Sequence, residues 1–243
     1  MPGVSQLQSA YPRMLAVKVC TYVYLGLFLL IRVVFWILSL RYKKAEDHEG
    51  WRGRVVLYGS IALVIAVGVF TSVMGDKLPD WLKPTFPLAV KWVGIALGFL
   101  ACALFLWVHL HLGKSWSGEV SLMEDHELVT SGPYTYVGRH PMYTCLAIFF
   151  IAISLNSADI LLMAAFIIHY GCIAGRIGTE ERIMLRTFGD QYVQYKRRTG
   201  AFLPVRFPCC DCGVSMANAE KLVRQTQSLR LDESKPSDEL LEA

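Results

Sequence analysis

Two short polar segments hold the side chains best suited to chemistry. The first, HELVTSGPYTYVGRHPMY from His126 to Tyr143, concentrates His, Arg and Tyr between Gly and Pro residues. The second opens with Thr179, Glu180 and Glu181 and closes on the basic cluster Lys196, Arg197 and Arg198. Arg139 offers a planar fork that matches a carboxylate, and His140 can donate or accept a hydrogen bond. Tyr134, Tyr136 and Tyr143 supply flat amphipathic surfaces. Pro133 and Pro141 stiffen the backbone, and Gly132 and Gly138 permit tight turns. Glu180 and Glu181 diverge by ~100° on a helix, so they do not share a ligand atom. One of them can meet a cation while the other pairs with Arg or faces water. Taken singly, each segment reads as an anchor beside a membrane or as a solvated helix start, since acids suit a first turn.

The elements between the segments must bring them together. Met142 to Gly175 is almost wholly apolar. As one helix this stretch would be ~50 Å long, well beyond a ~30 Å hydrocarbon core. Asn156-Ser157-Ala158-Asp159 interrupts it, which predicts a helical hairpin with both ends on one side. That topology sets Arg139-His140-Pro141 beside Glu180-Glu181. From Thr179 onward Met184, Phe188, Tyr192 and Tyr195 recur at helical spacing and predict an amphipathic helix on the membrane surface.

Composition agrees with a membrane protein. Of 243 residues, 54% are hydrophobic and 18% charged, with a mean hydropathy of +0.40. This is too apolar for an ordinary soluble domain. The formal net charge is only +4, and no basic run is interleaved with base-stacking aromatics, which argues against a nucleic-acid partner. Three spans are predicted before the polar segments: Leu15 to Leu40, Val55 to Gly75 and Leu88 to Leu112. Arg32 lies deep in the first and should face protein, water or a headgroup rather than lipid tails. The loop after that span carries Arg41, Lys43, Lys44, Arg52 and Arg54, which orients it to the cytosol. The amino terminus is then lumenal or outside, and the His126 to Tyr143 segment begins on the cytosolic face. The reading is an all-α polytopic membrane protein of about five transmembrane helices, with a cytosolic-face pocket and a C-terminal amphipathic helix. Its expected divisions are 1–111 for three spans, 112–206 for the catalytic region, and 207–243 for a disordered tail in which Val223 to Leu231 forms at most a transient helix.

The remaining candidates read as structural. His109 and His111, two apart on a helix, point to different faces, make a poor metal pair, and look interfacial. Cys20, Cys102, Cys145 and Cys172 sit in apolar segments as small hydrophobes. Cys209, Cys210 and Cys212 are candidates for palmitoylation. They lack a well-spaced fourth ligand, and no metal site is expected.

Together the motifs LGKSW (Leu112 to Trp116), HELVTSGPY, RHPMY, TEE and FGDQYVQYKRRTGAFLP (Phe188 to Pro204) resemble the isoprenylcysteine carboxyl methyltransferase family, related to phospholipid N-methyltransferases. The resemblance covers roughly residues 112–206. It implies S-adenosylmethionine as cofactor, held on the cytosolic side. His126, Leu128 and Val129 would line the adenine. Tyr134, His140 and Tyr143 would contact the nucleoside and methionine parts, with Gly132 and Pro141 in the same binding set. Glu180 or Glu181 would take the ammonium, and Arg139 would orient the acceptor carboxylate. The implied substrate is the carboxylate of a prenylated protein's terminal cysteine, or a small lipophile, reached from membrane lipid, with the endoplasmic reticulum as the expected membrane. A phospholipid amine, a small thiol and a non-enzymatic scaffold are the other readings. In the family three residues separate G-x-Y from R-H-P. Here Thr135, Tyr136, Val137 and Gly138 make four, which should bulge the turn before Arg139.

Overall fold

A computed structural model describes residues 4–41, 44–47, 51–116, 121–123, 127–202 and 214–233. The described part of the chain is almost wholly helical. Its helices are α1 (Val4–Ser39), α2 (Trp51–Met74), α3 (Leu88–Leu112), the single turn α4 (Pro133–Tyr136), α5 (Pro141–Ser157), α6 (Ile160–Ala174), α7 (Ile177–Phe188), α8 (Asp190–Arg198) and α9 (Met216–Glu233). One short antiparallel ribbon joins β1 (Lys44–Asp47) to β2 (Ser121–Met123). Among the described residues four helical stretches are long and apolar enough to cross a membrane: Pro12–Ser39, Trp51–Met74, Leu88–Leu112 and Ile160–Phe188. The helix Pro141–Ser157 is apolar but shorter. Leu29, Leu30, Trp36, Ile65 and Val69 lie exposed on α1 and α2, as expected of side chains that meet lipid rather than water.

The membrane core is built on α3. Phe28 of α1 stacks between Phe105 of α3, at 4.2 Å, and Phe149 of α5, at 3.8 Å. Ala101, Cys102, Val108, Cys145 and Ala152 close the space around them. Small residues permit this approach, the usual device where helices pack inside lipid. A Cβ at Gly98 would lie 2.7 Å from the Tyr24 ring, and one at Gly94 would lie 2.5 Å from Asn156 Oδ1. Asn156 Nδ2 donates to Tyr24 Oη at 3.0 Å, pinning α5 to α1. The predicted hairpin break falls at Ala158, which is left-handed at φ 49°, followed by Asp159, whose side chain caps α6 by accepting from Leu162 N at 3.0 Å.

Three expectations change. His109 is not interfacial. It is fully buried, because α3 turns that position inward against Phe35, Phe105 and Trp116. The amphipathic helix after Thr179 is two helices, broken at Gly189 with φ 50°. The tail, expected to be disordered, contains α9. Ala219, Leu222, Val223 and Thr226 repeat at i, i+3, i+4 and i+7, which gives one packing face. Ala219 and Val223 pack with Leu185, Tyr192 and Val193. Cys209, Cys210 and Cys212 lie outside the described residues, as does Lys43 of the basic loop.

Candidate functional site

The site assembles where α4 and the start of α5 meet α7 and α8. Gly132 opens the α4 turn with φ 59° and ψ −126°, a conformation that favours glycine, and any Cβ there would overlap the His111 ring. Gly138, the residue that lengthens the turn, takes φ 142°. The backbone then locks onto the segment after α8, with Arg139 N donating to Gly200 O and His140 N to Ala201 O, both at 2.9 Å. Pro141 starts α5 at the first turn, where a missing N–H costs nothing. Tyr195 Oη donates to Tyr134 O at 2.7 Å, tying α8 to α4.

Arg139 and Glu181 form the buried centre. Both side chains are fully buried, with Nη2 and Nε of Arg139 donating to Glu181 Oε1 at 2.8 and 3.2 Å. Nη1 of Arg139 turns to the carbonyls of Lys196 and Thr199. Lys196 Nζ, also fully buried, donates to Glu181 Oε2 at 2.9 Å, and Val214 N donates to the same oxygen at 2.8 Å. His140 bridges the two acids, with Nε2 3.4 Å from Glu181 Oε1 and Nδ1 3.7 Å from Glu180 Oε2. Charged groups buried this way are tolerated only when paired, and here one carboxylate answers two cations. Burial pushes the Tyr192 hydroxyl well above its usual range and raises that of Tyr195. Both therefore stay protonated at neutral pH.

Glu180 behaves differently from its neighbour. The helix turns it away from the buried centre, its side chain keeps 29% exposure, and Tyr143 Oη donates to its Oε1. Glu180 lines a cavity of about 820 Å³. Leu128, Val129, Tyr134, Arg139, His140, Pro141 and Tyr143 line it too. Glu181 and Gly132 stand behind that wall and are absent from it, and His126 lies outside the described residues. The cavity continues between α1 and α2, along Leu29, Trp36, Leu57, Ile61 and Ile65. α1 packs chiefly on α3, and α2 on α6, so the two do not seal this side.

Residues 93–186 match the isoprenylcysteine carboxyl methyltransferase (ICMT) family. Among the curated relatives is the protein-S-isoprenylcysteine O-methyltransferase of Schizosaccharomyces pombe. It is 32% identical over 115 residues, which are 45% of this chain and 48% of that protein. The cobalt-zinc-cadmium resistance protein CzcN of Cupriavidus metallidurans is 30% identical over 131 residues, 51% of each chain. The nickel-cobalt-cadmium resistance protein NccN of Alcaligenes xylosoxydans xylosoxydans is 30% identical over 162 residues, 63% of this chain and 65% of that one. The matches thus span about half to two thirds of these relatives.

The matched region also places Arg176 and His169, which the motifs did not include, in the cavity wall, together with Trp116 of the LGKSW motif. Arg32, known from the sequence only as an arginine too deep for lipid, lines the cavity and lies 5.0 Å over the Trp116 ring. Its depth in an apolar span was the available signal. Arg176 carried none, since it falls at the junction of α6 and α7, just past the apolar run.

Proposed function

We propose that the chain is an integral-membrane methyltransferase that uses S-adenosylmethionine to methylate a lipophilic carboxylate, in the first instance that of a prenylated C-terminal cysteine. The observation that carries this reading is one continuous cavity with two unlike ends. One end presents Glu180, His140 and Tyr143, and the other runs into an apolar cleft between α1 and α2. A volume of about 820 Å³ is at the upper part of the range for small-molecule sites, ~300–1,000 Å³. It therefore suits a nucleoside cofactor together with part of a chain.

The residues fit the cofactor. Glu180, half-exposed and held by Tyr143, is the carboxylate free to meet an ammonium, while Glu181 is already spent on Arg139 and Lys196. Leu128, Val129 and Tyr134 give the apolar and aromatic wall that an adenine needs. S-Adenosylmethionine supplies an electrophilic methyl group on sulfonium sulfur. A cysteine α-carboxylate, with a free pKa of ~3.5, is already ionised at neutral pH, so the protein needs no general base. Its work is to desolvate and align the two reactants. Arg139, cast from its motif as the clamp on the acceptor carboxylate, is better read as a positioning residue, because its donors are engaged by Glu181 and backbone carbonyls. Arg32 and Arg176, which line the same cavity, take over the role of answering the acceptor's charge. The lipophilic chain enters between α1 and α2.

The β1–β2 pairing sets the basic loop after α1 at the same end of the molecule as the segment after α3. This supports a cytosolic site, with the amino terminus lumenal and the carboxy terminus cytosolic, in a membrane such as the endoplasmic reticulum. A second reading keeps the cofactor and substitutes a phospholipid amine or a small thiol. The test is methyl transfer in liposomes from labelled S-adenosylmethionine to S-farnesylcysteine, phosphatidylethanolamine and a small thiol in parallel. Base-labile ester on the farnesylated cysteine is the expected product. Label only on amine or thiol would overturn the acceptor, and absence of both transfer and cofactor binding would leave a scaffold.

A further inference from the structure

The apolar arm of the cavity holds one polar device that the mechanism above does not use. His169 of α6 lines the cavity, and its Nδ1 lies 2.9 Å from Ser60 Oγ of α2. Ser60 is buried, and its hydroxyl donates to Leu57 O at 2.8 Å. A serine has one proton to give. With that proton on Leu57 O, Ser60 Oγ accepts, so the His169 proton sits on Nδ1. Nε2 is then a lone pair, and it is the only hydrogen-bonding atom His169 has left for a ligand. Around it the arm is apolar and aromatic: Phe150 stands 5.5 Å from the imidazole, and Leu57, Ile61 and Ile65 complete the wall.

His169, Ile173, Arg176 and Glu180 all line the cavity and follow one another at helical spacing on one face. Along the helical stretch Ile160–Phe188, which α6 and α7 share, eleven residues at ~1.5 Å each place His169 ~16 Å from Glu180. That is too deep for the transferring methyl and well placed for the acceptor's chain. A hydrocarbon chain passing this point leaves Nε2 without a partner in an apolar setting, which is costly.

We propose that His169, oriented by Ser60, is a specificity-determining residue, and that an O–H or N–H donor part-way along the acceptor's lipophilic chain, which a prenyl group lacks, raises its affinity above that of the plain hydrocarbon chain. This rests on the cavity being the acceptor site, and the test separates the two ideas by measuring binding as well as transfer. The probes are S-alkylcysteines of equal chain length, either plain or hydroxylated near the head, in the middle, or at the far end. Their affinities are measured in detergent and their methylation in liposomes. The expected result is that one hydroxyl position improves affinity roughly tenfold over the plain chain, the equivalent of one hydrogen bond. His169→Phe and Ser60→Ala erase that gain while plain-chain binding persists, and His169→Gln, which keeps an acceptor oxygen, restores part of it. Equal affinity for all four probes, or a gain that survives His169→Phe, would overturn the inference. Selective binding with no methyl transfer would sink the methyltransferase reading and leave this one standing.

Discussion

Glu180 and Glu181 are adjacent in sequence, yet the fold gives them opposite tasks, and replacing each by glutamine should separate those tasks. Glu181→Gln keeps the shape and removes the charge. Arg139 and Lys196 then remain buried, facing each other across an amide that can neutralise neither. Both donate to the Glu181 carboxylate, with contacts of 2.8 and 2.9 Å and no side-chain exposure. Removing one partner of a buried ion pair costs ~3–5 kcal/mol, a large share of the ~5–15 kcal/mol that holds a domain together. The loss also frees Val214 N and loosens the grip of Arg139 on Thr199. Glu180→Gln removes a partly exposed charge with little structural duty. It should leave thermal unfolding nearly unchanged and weaken cofactor binding by the worth of one charged hydrogen bond, ~1.5–3 kcal/mol, or roughly 10- to 150-fold. The assays are unfolding in detergent followed by tryptophan fluorescence, and calorimetric titration with S-adenosylhomocysteine. A Glu181→Gln protein as stable as the parent, or one that loses more cofactor affinity per folded molecule than Glu180→Gln, would refute the division.

Other perturbations follow from the same packing. Gly132→Ala should destabilise the α4 turn by at least ~1 kcal/mol, since φ 59° disfavours a side chain and the new methyl meets His111. Adding His111→Ala should recover only the steric part, as read by unfolding midpoints. Val223→Asp puts a charge at a 3% exposed position of α9. It should release that helix from Leu185 and Tyr192, seen as faster proteolysis between α8 and α9 while the apolar helices stay protected. Tyr24→Phe removes the hydrogen bond from Asn156 and should cost only ~0.6 kcal/mol, the typical worth of such a bond within a membrane. A loss several times larger would show that the pair does more than pin α5 to α1.

What the sequence revealed, and what it hid, follows from the range of each interaction. Span positions were legible because hydropathy is a local sum, and α3 falls on the expected Leu88 to Leu112. The hairpin break at Ala158-Asp159 was legible because the capping aspartate and the polar run sit together. The meeting of Arg139 with Glu181 could be read from topology alone, since a hairpin returns its ends to one side. Its chemistry could not. Lys196, a residue of a surface-looking basic cluster, is the second partner of Glu181, and only the crossing of α7 by α8 brings it in. That partner fills the last free oxygen of Glu181 and leaves Glu180 as the carboxylate facing the cavity. α9 was missed for a related reason. Its apolar stripe is thin, with Ala219 and Val223 at its centre, and a stripe that narrow folds only against a surface already built.

The same logic explains why a cluster rich in charge sits beside the proposed methyl-transfer site without reacting there. Arg139, Lys196, Glu181 and His140 draw together four separate stretches of chain: the start of α5, α7, α8 and, through Val214, the segment leading into α9. A buried charge network of this kind is a poor source of net stability but a strict one of geometry, because any slip leaves an ion unpaired. Glu180 rides on the turn of α7 that Glu181 fixes, and Tyr143 on the turn of α5 that follows His140. The contact between Tyr143 and Glu180 is therefore set by residues that need never touch the reactants. On this view a lysine at Arg139 should retain charge and lose alignment. It can follow Glu181 with one donor but cannot also reach the carbonyls of Lys196 and Thr199. Arg139→Lys should thus lower the rate of transfer at saturating cofactor more than it lowers stability, with Glu180-dependent cofactor binding weakened through orientation alone. If Arg139→Lys instead raised only the KM for the lipophilic acceptor and left kcat and cofactor affinity intact, Arg139 would be contacting the acceptor after all, and the positioning role would fall.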